Sequence, residues 1–177
     1  PHQSSAASDV YKRQEDWKTG SESAACGGVT AVVDMPNTNP FTSDYSQFKE
    51  KERIAKQKSV VDFGIGINVE ENLTEQDWFE TVPAAFWKLY PYGISSKDYF
   101  RLAQEVLGKT KKPLVVHCEH PDYMHNNPLE KLSDHTENRL IAEEKCLSEM
   151  PPSKHLHVAH LSTSNGLSLI HISEPTR

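Results

Sequence analysis

The sequence lacks any long apolar run. None approaches the roughly 18 consecutive residues that a membrane span needs, which predicts a soluble protein. It also lacks a basic stripe: 19 Lys and Arg stand against 25 Asp and Glu, a net charge of −6. An acidic chain of this kind argues against nucleic acid as the main partner. Cysteine is scarce. Cys26, Cys118 and Cys146 are odd in number and have no CxxC spacing, which suits a reduced, cytoplasmic setting better than a disulfide framework. Each is read as a small buried apolar residue. No glycine-rich phosphate loop follows the first strand candidate; Asp34 is succeeded by Met-Pro-Asn-Thr-Asn-Pro, which cannot cradle a phosphate.

Both ends have an unusual origin. Ser4 to Gln14 is the in-frame translation of a transposase-type sequencing-library adapter, and Leu167 to Arg177 is the translation of its partner. Such segments are set aside in reasoning about fold. Residues 1–14 and 167–177 are therefore expected to be adapter-derived tails, disordered or packed without purpose. Residues 15–166 are expected to be the natural segment of a longer gene. Setting the tails aside removes Lys12, Arg13 and Arg177 with Asp9 and Glu174. Basic residues fall from 19 to 16 and acidic from 25 to 23, a net charge of −7.

Within 15–166, strands and helices alternate. Asp16 to Cys26 reads as a leading helix, and Thr30 to Met35 as a buried strand. Ser43 is placed to cap a helix running to about Lys58, with Tyr45, Phe48, Ile54 and Ala55 inward. Val60 to Ile67 is the next strand, and Thr74 opens a short helix holding Trp78 and Phe79. Ala85 to Tyr90 is a strand. Ser95 and Asp98 open a helix whose positions Tyr99, Leu102, Ala103, Val106 and Leu107 follow i, i+3, i+4, i+7, i+8. After the strand Pro113 to His117, Asp134 and Glu137 resemble a capping pair for a helix through Leu140, Ile141 and Leu147. That helix must end by Pro151-Pro152. Leu156 to His160 is the fifth strand. Strict alternation predicts an α/β fold with a parallel sheet, and five such units suggest part of a (β/α)8 barrel rather than a doubly wound sheet.

Three of these strands end on residues that can serve chemistry: Lys88, His117 and His160. In a barrel, strand C-termini face the mouth where active sites lie. Taken singly, either histidine is more simply a hydrogen-bonded core or loop residue. A lysine flanked by Phe86, Trp87, Leu89 and Tyr90 is different, because burial favours its neutral form. A neutral amine can take up CO2 as a carbamate whose two oxygens bridge two cations, and paired cations polarise an amide carbonyl. His120, His155 and His157 fit no pattern, and His157 has the opposite strand parity to His160. Glu119 reads either as a group orienting a ligand or as a solvated loop acid. Residues 119–135, with Asn126, Asn127 and Pro128, read as a loop over the barrel mouth.

Four segments together resemble the dihydroorotases of the metal-dependent amidohydrolase superfamily: Glu15 to Pro40, Lys88-Leu-Tyr-Pro, Val116-His-Cys-Glu and His160-Leu-Ser-Thr. The stretch Asp34-Met-Pro-Asn-Thr is the most specific, since hydantoinases and dihydropyrimidinases share only the Gly-Gly-Val-Thr before it. The resemblance implies a partial (β/α)8 barrel, about strands 2 to 6, from an enzyme that interconverts dihydroorotate and N-carbamoyl-L-aspartate in pyrimidine synthesis. It implies that Lys88 is carboxylated and bridges two divalent ions, zinc by ligand type. It assigns His117 and His160 as ligands of the more exposed ion and Asn37 as a grip on the substrate carboxylate. A turn-forming role for Asn37 after Pro36 is compatible with this. The family's His-x-His-x-Arg motif of the first strand and aspartate of the eighth are not in the sequence. The alternatives are an allantoinase or hydantoinase-type enzyme, or a non-catalytic scaffold partner of aspartate transcarbamoylase. A homodimer or association with that transcarbamoylase is the implied assembly.

Overall fold

A computed structural model describes residues 15–124 and 132–173. Its elements are α1 (Trp17–Cys26), β1 (Ala31–Asp34), α2 (Tyr45–Lys58), β2 (Asp62–Asn68), β3 (Phe86–Leu89), α3 (Ser96–Lys109), β4 (Leu114–His117), α4 (Leu132–Glu149), β5 (Leu156–Ala159) and α5 (Ser164–Ser173). The sheet order is β1-β2-β3-β4-β5, and all four pairings are parallel. Each new strand adds beside its predecessor and the order never reverses. A doubly wound sheet has such a reversal; a curled portion of a barrel does not, and that is what the chain forms.

Local chemistry explains most element boundaries. Asp16 caps α1, accepting from the amides of Lys18 and Thr19 at 2.9 Å each, and Thr19 answers through its hydroxyl. Asp44, rather than Ser43, caps α2. Its carboxylate accepts from the Gln47 amide at 2.8 Å, while the Gln47 side chain takes the amides of both Ser43 and Asp44. A carboxylate reached the cap geometry one residue later than the serine. Ser95 caps α3 as expected, accepting from the Asp98 amide at 3.1 Å.

Thr74 starts no helix. Leu73–Glu75 is a single 3-10 turn after Asn72, whose φ is +60°, and Trp78 and Phe79 follow in turns up to Val82. Pro83 stops any helix from propagating. Asp134 already lies inside α4, so it cannot be that helix's cap. The buried residues of α4 whose side chains are described are Ala142, Glu143 and Cys146, whereas Leu140 and Ile141 are each 39% exposed. The i, i+4 row through 142 and 146 has the small residues that close packing on the sheet requires. Residues 125–131 of the expected mouth loop, and the terminal stretches 1–14 and 174–177, lie outside the described residues. α5 runs from Ser164 to Ser173, and near its start the Gly166 amide donates to Thr163 Oγ1 at 2.9 Å.

The core lies between the sheet and its helices. β3 is buried at every position, and Ile65, Ile67, Leu114 and Val116 flank it. On α3 the expected stripe Tyr99, Leu102, Ala103 and Val106 is buried, and Phe48 and Ala55 are the inward positions of α2. β1 is the exception, with Val33 57% exposed. That exposure matches the unpaired edge of an open sheet. Gly66 pairs with Phe86 across β2 and β3, and a Cβ at this glycine would overlap the Phe86 ring. The glycine is therefore required by the close approach.

Tyr99 ties α3 to the mouth of the sheet. Its ring is fully buried, and its hydroxyl donates to the His117 carbonyl at 2.9 Å. Burial pushes the phenol well above its ordinary range, so it remains a donor at any physiological pH. Tyr99→Phe is expected to cost about 1 kcal/mol. Equilibrium unfolding of the whole protein checks this; no change in stability would show that the bond to β4 contributes nothing.

Candidate metal and substrate site at the strand ends

Lys88 sits on β3 with Asn68 opposite it on β2 and Val115 on β4. It is 1% exposed. Its Nζ has no hydrogen-bond partner among the described residues and lies 4.8 Å from the centre of the Tyr90 ring. Burial pulls the amine down from 10.5 to about 8. Asn68 is likewise buried; its Nδ2 donates to Glu70 at 2.6 Å, and its Oδ1 has no partner among the described residues. A naked amine and a naked amide oxygen on adjacent strands are costly features, of a kind that functional sites carry.

His117 ends β4, and His160 follows β5 by one residue; their rings meet edge to face at 5.2 Å. The two strands pair with His117 opposite Ala159. His160 does not continue the strand. Its φ is +60°, so a turn and not the pleat sets the direction of its ring. The parity comparison with His157 therefore does not apply to it. His157 itself lies within β5 and is exposed.

Around His117 the structure assembles Glu119, for which the sequence left two readings open, with Tyr92 and Arg139, which sequence reading missed. Tyr92 places its hydroxyl 3.3 Å from His117 Nε2, and the Tyr92 ring stacks on Tyr90 at 6.2 Å. Glu119 Oε2 is 2.9 Å from the same Nε2, and Arg139 of α4 pairs with the other Glu119 oxygen. Burial raises the Glu119 pKa, but the contacts from His117 and Arg139 outweigh it and leave the group below its usual value. Glu119 is thus a carboxylate held against the imidazole and not a solvated loop acid. Behind this layer, Cys118 Sγ and Cys146 Sγ are 2.9 Å apart and buried, as expected, whereas Cys26 is exposed. Contact with Cys146 and burial push the Cys118 thiol far up, so it stays protonated.

His120 is a packing residue. It is 5% exposed, lies against Phe100 and Tyr123, and accepts the Asp122 amide through Nδ1 at 3.2 Å. His155 contributes its carbonyl to the Leu114 amide at the opposite end of the strands.

Two clefts open at the strand ends. One of about 390 Å³ is lined by His117, Glu119, Arg139, His160 and Ser162. The other, of about 730 Å³, is lined by Asn37, Asn68, Glu70, Tyr90, Tyr92 and Arg101. Tyr92 belongs to the second and touches His117 of the first, so it forms the wall between them. The structure therefore brings His117 and His160 together and places Asn37 in the adjoining cleft. Lys88 lies on β3, two residues before Tyr90 of that adjoining cleft, and lines neither cleft itself. A further hollow of about 660 Å³ along β1, with Trp17, Val32 and Asp34, shares no residue with either cleft and marks the open sheet edge.

The donor set fits part of a divalent metal centre. Two imidazoles in ring contact and one unsatisfied, desolvated amine are groups that a metal and CO2 would satisfy. Among the described residues, no three of His, Cys, Asp and Glu are placed to hold a metal ion by themselves.

The chain forms a curled parallel segment of a (β/α)8 barrel, with histidines at the ends of β4 and β5 and the buried Lys88 on the neighbouring β3. Solved hydantoinases share the fold. An L-hydantoinase (dihydropyrimidinase) from Arthrobacter aurescens matches with a TM-score of 0.72 and 24% identity, over 89% of this chain and 40% of that one. A D-hydantoinase matches at 0.69 with 18% identity, over 90% and 39%. No family model matches the chain. Curated relatives are more specific. A dihydroorotase from Methanosphaera stadtmanae is 36% identical over 174 residues, covering 90% of this chain and 40% of that protein. One from Methanothermobacter thermautotrophicus is 34% identical over 178 residues, covering 93% and 40%. The chain belongs to the dihydroorotase family, and it spans about 40% of the length of these relatives.

Proposed function

We propose that the whole protein containing this chain is a dihydroorotase, interconverting dihydroorotate and N-carbamoyl-L-aspartate. The observation that carries this is the Asp34 to Pro40 stretch, which sets Asn37 in the cleft beside Tyr90 and Tyr92 and distinguishes dihydroorotases from hydantoinases by sequence. Asn37 would donate its amide to the substrate carboxylate. Lys88, carboxylated, together with His117 and His160, would hold two divalent ions, zinc by donor type. Such ions, when bound, activate water and polarise the ring amide carbonyl. Glu119 would keep the His117 ring oriented, and Arg139 would keep Glu119 charged. The resemblance places proton transfer on an eighth-strand aspartate. A cytoplasmic setting is consistent with the unpaired thiols; no described helix is long and apolar enough to cross a membrane.

Assay of the whole protein with dihydroorotate, allantoin and hydantoin tests the reading. Turnover of dihydroorotate at least about 100-fold above the others is expected, since a site built to bind a carboxylate discriminates strongly against substrates lacking it. Preference for allantoin or hydantoin would move the protein to a neighbouring activity. No turnover, together with absence of a His-x-His upstream in the gene, would favour a scaffold for aspartate transcarbamoylase. The 177-residue chain by itself is expected to be inactive and to melt without cooperativity. Its sheet leaves β1 open to other chains, and Val33 shows the apolar surface this exposes. A cooperative thermal transition with full activity would overturn that expectation.

A further inference from the structure

We infer that Glu143 is a positioning residue for His160, an assignment that rests on the reading of His117 and His160 as metal ligands. Glu143 lies on α4 and is 6% exposed. A carboxylate so buried needs a compensating partner, and its described hydrogen bonds all go to one place. Oε2 accepts from the Ser162 amide at 2.8 Å, and Oε1 accepts from the Thr163 amide at 2.8 Å and the Thr163 hydroxyl at 2.6 Å. Those residues form the turn that begins at His160.

The geometry of that turn is what Glu143 sets. β5 ends at Ala159, so the ladder no longer constrains His160. His160 adopts a φ of +60°, a conformation that residues with a Cβ avoid unless their surroundings impose it. Within the turn, the Ser162 hydroxyl donates to the His160 carbonyl at 3.0 Å; two further constraints come from outside it. Glu143 grips the amides two and three residues downstream through charge-assisted bonds. Gly166 closes the turn from the other side, where a Cβ would collide with Thr163 Oγ1, Leu147 and Leu161. The His160 ring is thereby delivered to within 5.2 Å of His117. Glu143 and Ser162 also line the same cleft as both histidines. Glu143 touches neither imidazole by any hydrogen bond among the described residues; it acts through the backbone.

The test compares crystal structures and Zn²⁺ affinity, measured by competition with a chromophoric chelator, for the whole protein and its Glu143→Gln variant. The glutamine keeps the size of the side chain but presents an NH2 to an amide that needs an acceptor. The variant is expected to fold, to lose the positive φ at His160 with the two rings moving apart, and to bind Zn²⁺ roughly 10- to 100-fold more weakly. A carboxylate that merely stabilised the fold would lower the melting temperature while leaving ring separation and affinity unchanged, and that result overturns the inference. If Glu143→Gln does not fold, Thr163→Val removes one of the three bonds. It should shift His160 and weaken Zn²⁺ binding to a smaller degree, and no change in either refutes the assignment. If the wild-type protein binds no Zn²⁺, the metal reading fails, while the position of His160 in the variant still decides the role of Glu143.

Discussion

Lys88→Ala in the whole protein is expected to abolish binding of the second divalent ion and to lower kcat/KM for dihydroorotate by at least about 1000-fold, equivalent to about 4 kcal/mol of transition-state stabilisation. The reason is the state of the amine. With its pKa at about 8, about a tenth of Lys88 is neutral at pH 7, against about one in three thousand for an ordinary lysine. Only the neutral form reacts with CO2. Short carboxylic acids should partly restore activity to the alanine variant by replacing the lost carbamate oxygens. Metal analysis showing two ions per subunit in Lys88→Ala would eliminate the bridging role.

The same burial makes a prediction of opposite sign for stability. The folded pKa lies below the unfolded value near 10.5, so the native state binds fewer protons between those limits. The uncarboxylated protein should therefore gain stability as pH rises from about 8 to 10.5 and should carry the full penalty below about 8. That penalty is about 3 kcal/mol for a shift of this size. Lys88→Met, which fills the space without a charge, should recover much of it at pH 7 while removing activity. A Met variant less stable than the metal-free wild type would show that the amine is not strained by burial.

The second large effect is on the fold. Trp87 is fully buried and stacks on Phe79 at 4.5 Å and 19°. It lies 6.5 Å from Trp78 and has the Lys112 amine 5.7 Å from its ring. Its strand neighbours are Ile67 and Leu114. Trp87→Ala should cost about 3–5 kcal/mol, the range for emptying a packed aromatic site. Trp87 adjoins Lys88 on the opposite face of β3, so the loss should also loosen the lysine. Urea unfolding of the whole protein measures it, and a cost below about 1 kcal/mol would mean that this cluster does not hold the sheet.

Much of the site was legible because strand ends are legible. His117 ends a β-branched run and Lys88 stands one residue before the end of an aromatic one, and period-two alternation with strict β/α succession is enough to bring such residues towards one end of the sheet. Leu140 and Ile141 were misassigned to the core for the complementary reason. Apolar character says that a residue can be buried, but the face of α4 that meets the sheet is selected by the small residues Ala142 and Cys146. Tyr92, Arg139 and Glu143 carried no local signal at all. Each is an ordinary polar residue whose partner lies about 20 or more residues away in sequence, and only chain closure reveals it.

Sequence alone determined the alternation of strands and helices, the absence of a phosphate loop and the identity of Lys88, His117, His160 and Asn37 as the residues to examine. These follow from local rules: periodicity, capping and the chemistry of side chains at strand ends. Tertiary structure decided the unreversed strand order, the desolvation of Lys88, the meeting of the two imidazoles and the left-handed turn that aims His160. Those properties depend on which surfaces exclude water and on which distant donors find acceptors, and both are set only when the sheet has assembled against its helices.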